Sequence, residues 1–188
     1  IAPEKPTSGP DKLFLKGGRK SGLWHLCGDP VGAAVVLVAE GYATAASLHE
    51  ATGRPVAVAF DAGNLAHVAK ALHQQFPAAL LVLCGDDDVQ TFAQKGHNPG
   101  RDKATAAAKA VQGVAVFPEQ LPEGGSDFND MYQAAGLDAV RALVEAAIES
   151  HQNQQQAHQT KPQAAQKPRA GQRTQQQQNE RTEPQSAA

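Results

Sequence analysis

Hydrophobic and polar positions come in blocks along the first 150 residues rather than alternating singly. Four short apolar runs lie at 31–39, 55–60, 79–84 and 113–117, and between them apolar residues recur three or four positions apart. An unbroken run bounded by Gly, Pro or Asp marks a strand buried on both faces, and the wider spacing marks a helix laid on a sheet. The pattern predicts a strand over Val31–Ala39, then a helix from Tyr42 to about Thr52 with Gly53 as its stop. A second strand over Pro55–Phe60 leads into a helix from about Leu65 to Phe76, whose Leu65, Val68, Leu72 and Phe76 share one face. The third strand is Ala79–Cys84, followed by a polar loop to Gly100 and an Ala-rich helix over Arg101–Val111. Gly113–Phe117 is the fourth strand. After it, Ser126 or Asp127 caps a helix through Ala135, and Leu137 to about Ser150 forms the last one. Upstream, Leu13-Phe14-Leu15 and Leu23–Cys27 flank a basic glycine loop, Gly17–Gly22, and predict a hairpin. The expected class is α/β: a mainly parallel four-stranded sheet flanked by helices on both faces.

Composition divides the chain. From His151 to Ala188 there are 13 Gln among 38 residues and no Val, Ile, Leu, Phe, Tyr or Trp. Such a segment buries too little apolar surface to offset its ordering entropy. The expected organisation is an arm and basic hairpin over 1–30, a folded α/β body over 31–150 and a disordered Gln-rich tail over 151–188. Charge divides in the same place: residues 1–150 carry 12 Lys/Arg against 17 Asp/Glu, and the tail carries 5 against 2. An acidic body is by itself a poor binder of nucleic acid, since phosphate contacts supply most non-specific affinity, but it suits divalent cations. Two distant cysteines, Cys27 and Cys84, make neither a zinc ribbon nor a disulfide framework. No apolar run approaches a membrane span, and no secretory signal precedes the body. A soluble cytoplasmic protein is expected. The missing initiator Met suggests a fragment of a longer chain.

The candidate chemistry lies in the acids. Glu40 follows the first strand, Asp61 the second, Asp86-Asp87-Asp88 the third, and Asp127 and Asp130 the fourth. In a parallel sheet these points share one edge, where α/β folds place their sites. Asp after a strand commonly turns the chain or caps the next helix, which suffices for Asp61 alone and serves Asp127 as well as any other reading. Three consecutive Asp exceed what capping needs, and Glu is a poor cap. Clustered carboxylates repel unless a cation neutralises them, and hard oxygen ligands suit Mg²⁺ or Mn²⁺. Residues i and i+2 at a strand end point to similar sides, so Asp86 and Asp88 can share an ion while Asp87 points away. Arg101 and Lys103 open the helix beyond this loop, where they could meet a phosphate, and Arg19 and Lys20 offer a second basic point. No Ser/His/Asp or Cys/His arrangement is legible, and no phosphate-binding glycine fingerprint follows the first strand.

Glu40-Gly41-Tyr42 after one strand, Asp86-x-Asp88 after another and Asp127 within Gly-Ser-Asp-Phe-Asn-Asp together resemble the Toprim domain of primases, topoisomerases and some nucleases. Glu40–Ala45, Ala59–Leu65 and Asn98–Ala104 are similar to segments of the plasmid conjugation (TraC-type) primases. The resemblance implies a Rossmann-like Toprim fold in which Glu40 is the catalytic acid/base or a metal-linked carboxylate. It further implies that Asp86 and Asp88 bind Mg²⁺, and that Asp127, with Asp130, supports a second ion. It implies Mg²⁺-dependent nucleotidyl transfer that makes RNA primers from ribonucleoside triphosphates on single-stranded DNA, within a larger primase or conjugation protein. A Toprim nuclease and a non-catalytic nucleic-acid-binding or docking module of a relaxase-associated protein are the alternatives. The zinc-binding domain of replicative primases and most of their upstream template-binding region have no counterpart expected in these residues, the basic loop with Arg19 and Lys20 standing for the end of the latter.

Overall fold

A computed structural model describes residues 16–159 of the protein. Five strands are found there: β1 His25–Cys27, β2 Val35–Ala39, β3 Val56–Val58, β4 Leu80–Cys84 and β5 Val114–Val116. The helices are α1 Tyr42–Thr52, α2 Leu65–Gln75, α3 Val89–Lys95, α4 Pro99–Ala110, α5 Phe128–Ala135 and α6 Leu137–Gln159, with a 3₁₀ turn at Ala62–Asn64. The sheet order is β1-β3-β2-β4-β5. β2, β3, β4 and β5 are mutually parallel, and β1 alone runs antiparallel, on the outer side of β3.

Both faces of the sheet are covered, as unbroken apolar strands require. Val35, Leu37 and Ala39 point to one face with Val56, Val58, Val82 and Cys84, and meet α1, α5 and α6 there. Val36, Val38, Ala57, Leu81 and Leu83 point to the other, beneath α2 and α4. Each fully buried Val or Leu among them contributes roughly 1.5–3 kcal/mol. The period of two along a strand thus builds two cores from one sheet. Burial pushes the Cys84 thiol far up from its ordinary value, leaving it an unreactive core residue. Cys27 and Cys84 are free thiols. No described helix is long and apolar enough to cross a membrane.

Three expectations need correction. The sheet has a fifth strand: Leu23–Cys27, expected as a hairpin arm, supplies β1, which pairs with β3. The other arm, Leu13–Leu15, lies outside the described residues. The polar loop before Gly100 contains α3, whose pattern shows no periodicity because the helix buries no residue. Asn98 caps α4, with Pro99 at its first position, so that helix starts earlier than Arg101. Finally, α6 passes Ser150 and reaches Gln159, so the disorder expected from His151 does not hold for 151–159. Its last turns have Gln–His and Gln–Ser pairs four residues apart and good helix formers in place of a core face. Residues 160–188 lie outside the description.

Candidate functional site

The register sets the site. Ala39 is paired with Val58 on one side and with Cys84 on the other, and Cys84 is paired with Val116. The next residues in each strand therefore leave the sheet at one level: Ala59-Phe60-Asp61 after β3, Glu40 after β2, Gly85-Asp86 after β4 and Phe117 after β5. Parallel strands run about 4.8 Å apart, so Glu40 stands one strand spacing from the Asp86 step. Local pairing could not bring these residues together, since Glu40 and Asp86 are 46 positions apart in the chain.

The acidic loop after β4 is held by a network centred on Asn98, a residue with 9% of its surface exposed. Its side-chain oxygen accepts from the backbone N–H of Asp88 at 3.1 Å and of Arg101 at 3.2 Å. Its amide donates to Asp87 Oδ1 at 2.6 Å. Asp87 Oδ2 pairs with the Arg101 guanidinium at 2.8 Å, and that guanidinium also lies 4.1 Å from the centre of the Phe117 ring. Asp87 therefore faces away from the sheet edge and serves the loop. Asp88 Oδ2 accepts from the Gly100 N–H at 3.0 Å. A Cβ at Gly100 would come within 2.4 Å of the Asp86 carbonyl oxygen, so only glycine lets α4 approach this loop.

The start of α5 is a capping box: Asp127 Oδ1 accepts from the Asp130 N–H, and Asp130 Oδ2 accepts from the N–H groups of Ser126 and Asp127. Asp127 Oδ2 accepts from the Thr44 hydroxyl at 2.9 Å, and Ser47 donates to Asn129 at 3.0 Å. These two bonds tie the first turns of α1, just after Glu40, to α5. Gly41 caps α1 in an extended conformation open to any residue, and a Cβ there would meet only Thr44 Oγ1, at 3.3 Å. Its small size spares the Thr44–Asp127 bond. The Asp87 N–H donates to the Ser126 carbonyl at 2.7 Å, joining the acidic loop to the same corner.

On the other side of Glu40, the basic loop docks on the end of β3. The Lys20 ammonium is 2.6 Å from Asp61 Oδ2. Asn64, 2% exposed, accepts from the Gly22 N–H at 2.8 Å and donates to the Leu23 carbonyl at 3.0 Å and the Ala59 carbonyl at 2.9 Å. Asp61 opens the 3₁₀ turn without a side-chain cap, so its carboxylate is used for Lys20. Arg19 on this loop is exposed, as are Lys103 on α4 and His97 ahead of it.

The structure brings Glu40, Asp86, Asp88 and Asp127 to one edge of the sheet. Among the described residues, however, no three His, Cys, Asp or Glu side chains close around a single point. The donor chemistry fits Mg²⁺, which is ordinarily held by one or two carboxylates, with water and substrate phosphate completing its octahedron. Glu40, Asp86 and Asp88 leave the sheet at this edge; Asp127 and Asp130, expected as further ligands, spend three of their oxygens on the helix start and Thr44. Arg101, expected to meet phosphate, is engaged by Asp87. Asn98, Asn64 and Thr44 were not singled out from sequence. The Asn-Pro pair at 98–99 was the available signal for Asn98, being a common helix start. No local signal exists for Asn64 or Thr44, whose partners lie 42 and 83 residues away.

A family profile described as Toprim domain matches residues 35–138. Two Escherichia coli proteins, each named DNA primase TraC, are 53% and 51% identical to the chain over 114 residues. The aligned stretch is 59% of this chain, but 11% and 8% of the respective relatives, so the chain spans about a tenth of the proteins it resembles. No solved structure matches it.

Proposed function

The chain belongs to the Toprim family, and we propose that its Glu40–Asp86–Asp88 edge carries out nucleotidyl transfer in a plasmid or mobile-element DNA primase of the TraC kind. The observation that supports this most is the Ala39–Cys84 register, which sets Glu40 beside the pinned Asp86–Asp88 loop. Primer synthesis joins a 3′ oxygen to the α-phosphorus of a ribonucleoside triphosphate while the bond to pyrophosphate breaks. A divalent ion, generally bound by Toprim domains, supplies charge neutralisation for both the attacking and the leaving oxygen. In this reading Asp86 and Asp88 hold the cation, with Asn98 and Gly100 fixing their loop. Glu40 takes the proton of the attacking hydroxyl and returns it on the leaving side. Asp127 and Asp130 position α5 and, through Thr44, the backbone that follows Glu40. Single-stranded DNA is the template, the cell compartment is the cytoplasm, and the remaining domains of a longer protein complete the template channel.

The test is primer synthesis on single-stranded DNA by the complete protein. Glu40→Gln should lower the rate at least about a hundredfold, the low end for removal of an acid/base group. Asp86→Asn combined with Asp88→Asn should abolish synthesis and Mg²⁺ binding together, with unchanged circular dichroism. Full activity in these variants would refute the reading. Mn²⁺-dependent cleavage of labelled DNA without any extension would replace it with a nuclease built on the same carboxylates.

A further inference from the structure

Two aromatic residues flank Glu40, and neither the core nor the acidic loop accounts for them. Phe60, just after β3, has φ +67°, the left-handed conformation that an aromatic L-residue adopts only under strain. Burial offsets that cost only in part, since 38% of the residue stays exposed at the sheet edge. Asn or Gly would hold the same turn with less strain. Tyr42, the first residue of α1, is 53% exposed, and its ring rests against His25 of β1 with centroids 5.8 Å apart. Continuing the register from Ala39–Val58, and from the Ala59 N–H bond to the Ala39 carbonyl at 2.8 Å, sets Phe60 across from the Glu40–Gly41 step. Tyr42 leaves the same step from the β2 side. Beyond Phe60 lies the loop bearing Arg19 and Lys20, fastened by Asn64 and Asp61.

We propose that Phe60 and Tyr42 form a stacking seat for unpaired bases of single-stranded DNA at the β3 side of Glu40, with the exposed Arg19 meeting the strand's phosphates and Lys20 exchanging its pair with Asp61 for one of them. Every base has a π-face, so aromatic platforms beside cationic groups bind single strands with little regard to sequence. The acidic body makes the placement informative. The strand approaches from the basic, aromatic half of the edge and reaches the carboxylates only at its reacting end. A strained, exposed aromatic at position 60 is then explained as a contact that replaces stability with binding. The seat's place beside the reacting centre rests on the nucleotidyl-transfer reading, whereas binding itself does not.

The test is fluorescence anisotropy of labelled oligo(dT) with the full chain, in EDTA and over a range of salt. Phe60→Asn and Tyr42→Leu should each weaken binding about tenfold, the scale of one lost base stack. Their dependence on log salt should match that of the wild type. Phe60→Asn should keep the wild-type circular dichroism spectrum, since Asn accepts the left-handed turn. Arg19→Gln and Lys20→Gln should instead flatten the salt dependence, by about 0.7 per phosphate contact on a single strand. Wild-type affinity in both aromatic variants would overturn the proposal, as would an unmodified chain that does not bind oligo(dT). Loss of ATP binding with oligo(dT) binding retained would also overturn it, reassigning the seat to a nucleotide. Because the assay omits metal, it stands whether or not Glu40, Asp86 and Asp88 prove catalytic.

Discussion

The two halves of the sheet edge are each organised by a buried asparagine, and they differ in what that asparagine holds. Asn64 bonds only to neutral backbone groups, at Gly22, Leu23 and Ala59, and so welds the basic loop to the end of β3. Asn98 bonds to two backbone N–H groups and to the carboxylate of Asp87, inside a loop that also contains Asp86 and Asp88. The first is a fastening with no charge at stake, and the second is a scaffold among like charges that favour separation. The surroundings differ too. Asn64 lies between Leu65, Ala59 and the body of the sheet, all fully buried, whereas Asn98 is preceded by α3, which contributes nothing to the core. A cleft of about 750 Å³ opens between α3 and α4, lined by Val89, Phe92, Arg101 and Lys109. The basic half of the edge is therefore fastened into the core, whereas the acidic half is held by polar bonds beside a helix that buries nothing.

Substitutions can break this contrast. Asn64→Ala should have the largest effect on stability, about 2–3 kcal/mol, because it strips partners from three backbone groups, some of which water cannot reach. Urea denaturation would measure it, and a red shift of the emission of Trp24, the chain's one tryptophan, would report release of the loop. A loss below about 0.5 kcal/mol would deny the fastening role. Gly100→Ala should cost about 2 kcal/mol, the usual size of core overpacking, as its Cβ pushes the Asp86 carbonyl away. Here the expected signature is a drop in Mg²⁺ affinity out of proportion to the stability change. Asn98→Ala should cost least, about 1 kcal/mol, because its partners lie near solvent and can rehydrate. Its effect on primer synthesis by the complete protein should nevertheless exceed that of Asn64→Ala. If Asn98→Ala destabilises as strongly as Asn64→Ala, the contrast between the two halves fails.

What could be read from the chain was unequal along its length. α2, β2 and β4 lie within a few residues of their expected bounds because each carries a strong apolar pattern of one period, and α1 does because Gly53 ends it. α3 was illegible for the opposite reason: a helix that buries nothing leaves no periodic trace. The continuation of α6 to Gln159 was hidden by composition, since a Gln-rich segment looks the same whether it extends a helix or leaves it. β1 was visible as a strand, but not its pairing with β3, because three residues of pattern do not say which strands they join.

The sequence by itself determined the class of fold and the residues available for chemistry: buried strands delivering Glu40, Asp86, Asp88 and Asp127 to the edge of a parallel sheet. Those features are encoded within a dozen residues each, in apolar period and in the polar residue that ends the run. The tertiary structure alone decided how the acids divide their work. Asp127 and Asp130 close a helix start, Asp87 takes up Arg101, Asp61 holds Lys20 and Asp88 accepts from the Gly100 N–H, while Glu40 stands one strand over from this loop. A carboxylate's task depends on which donor lies within about 3 Å of it, and here most of those donors come from other elements of the chain.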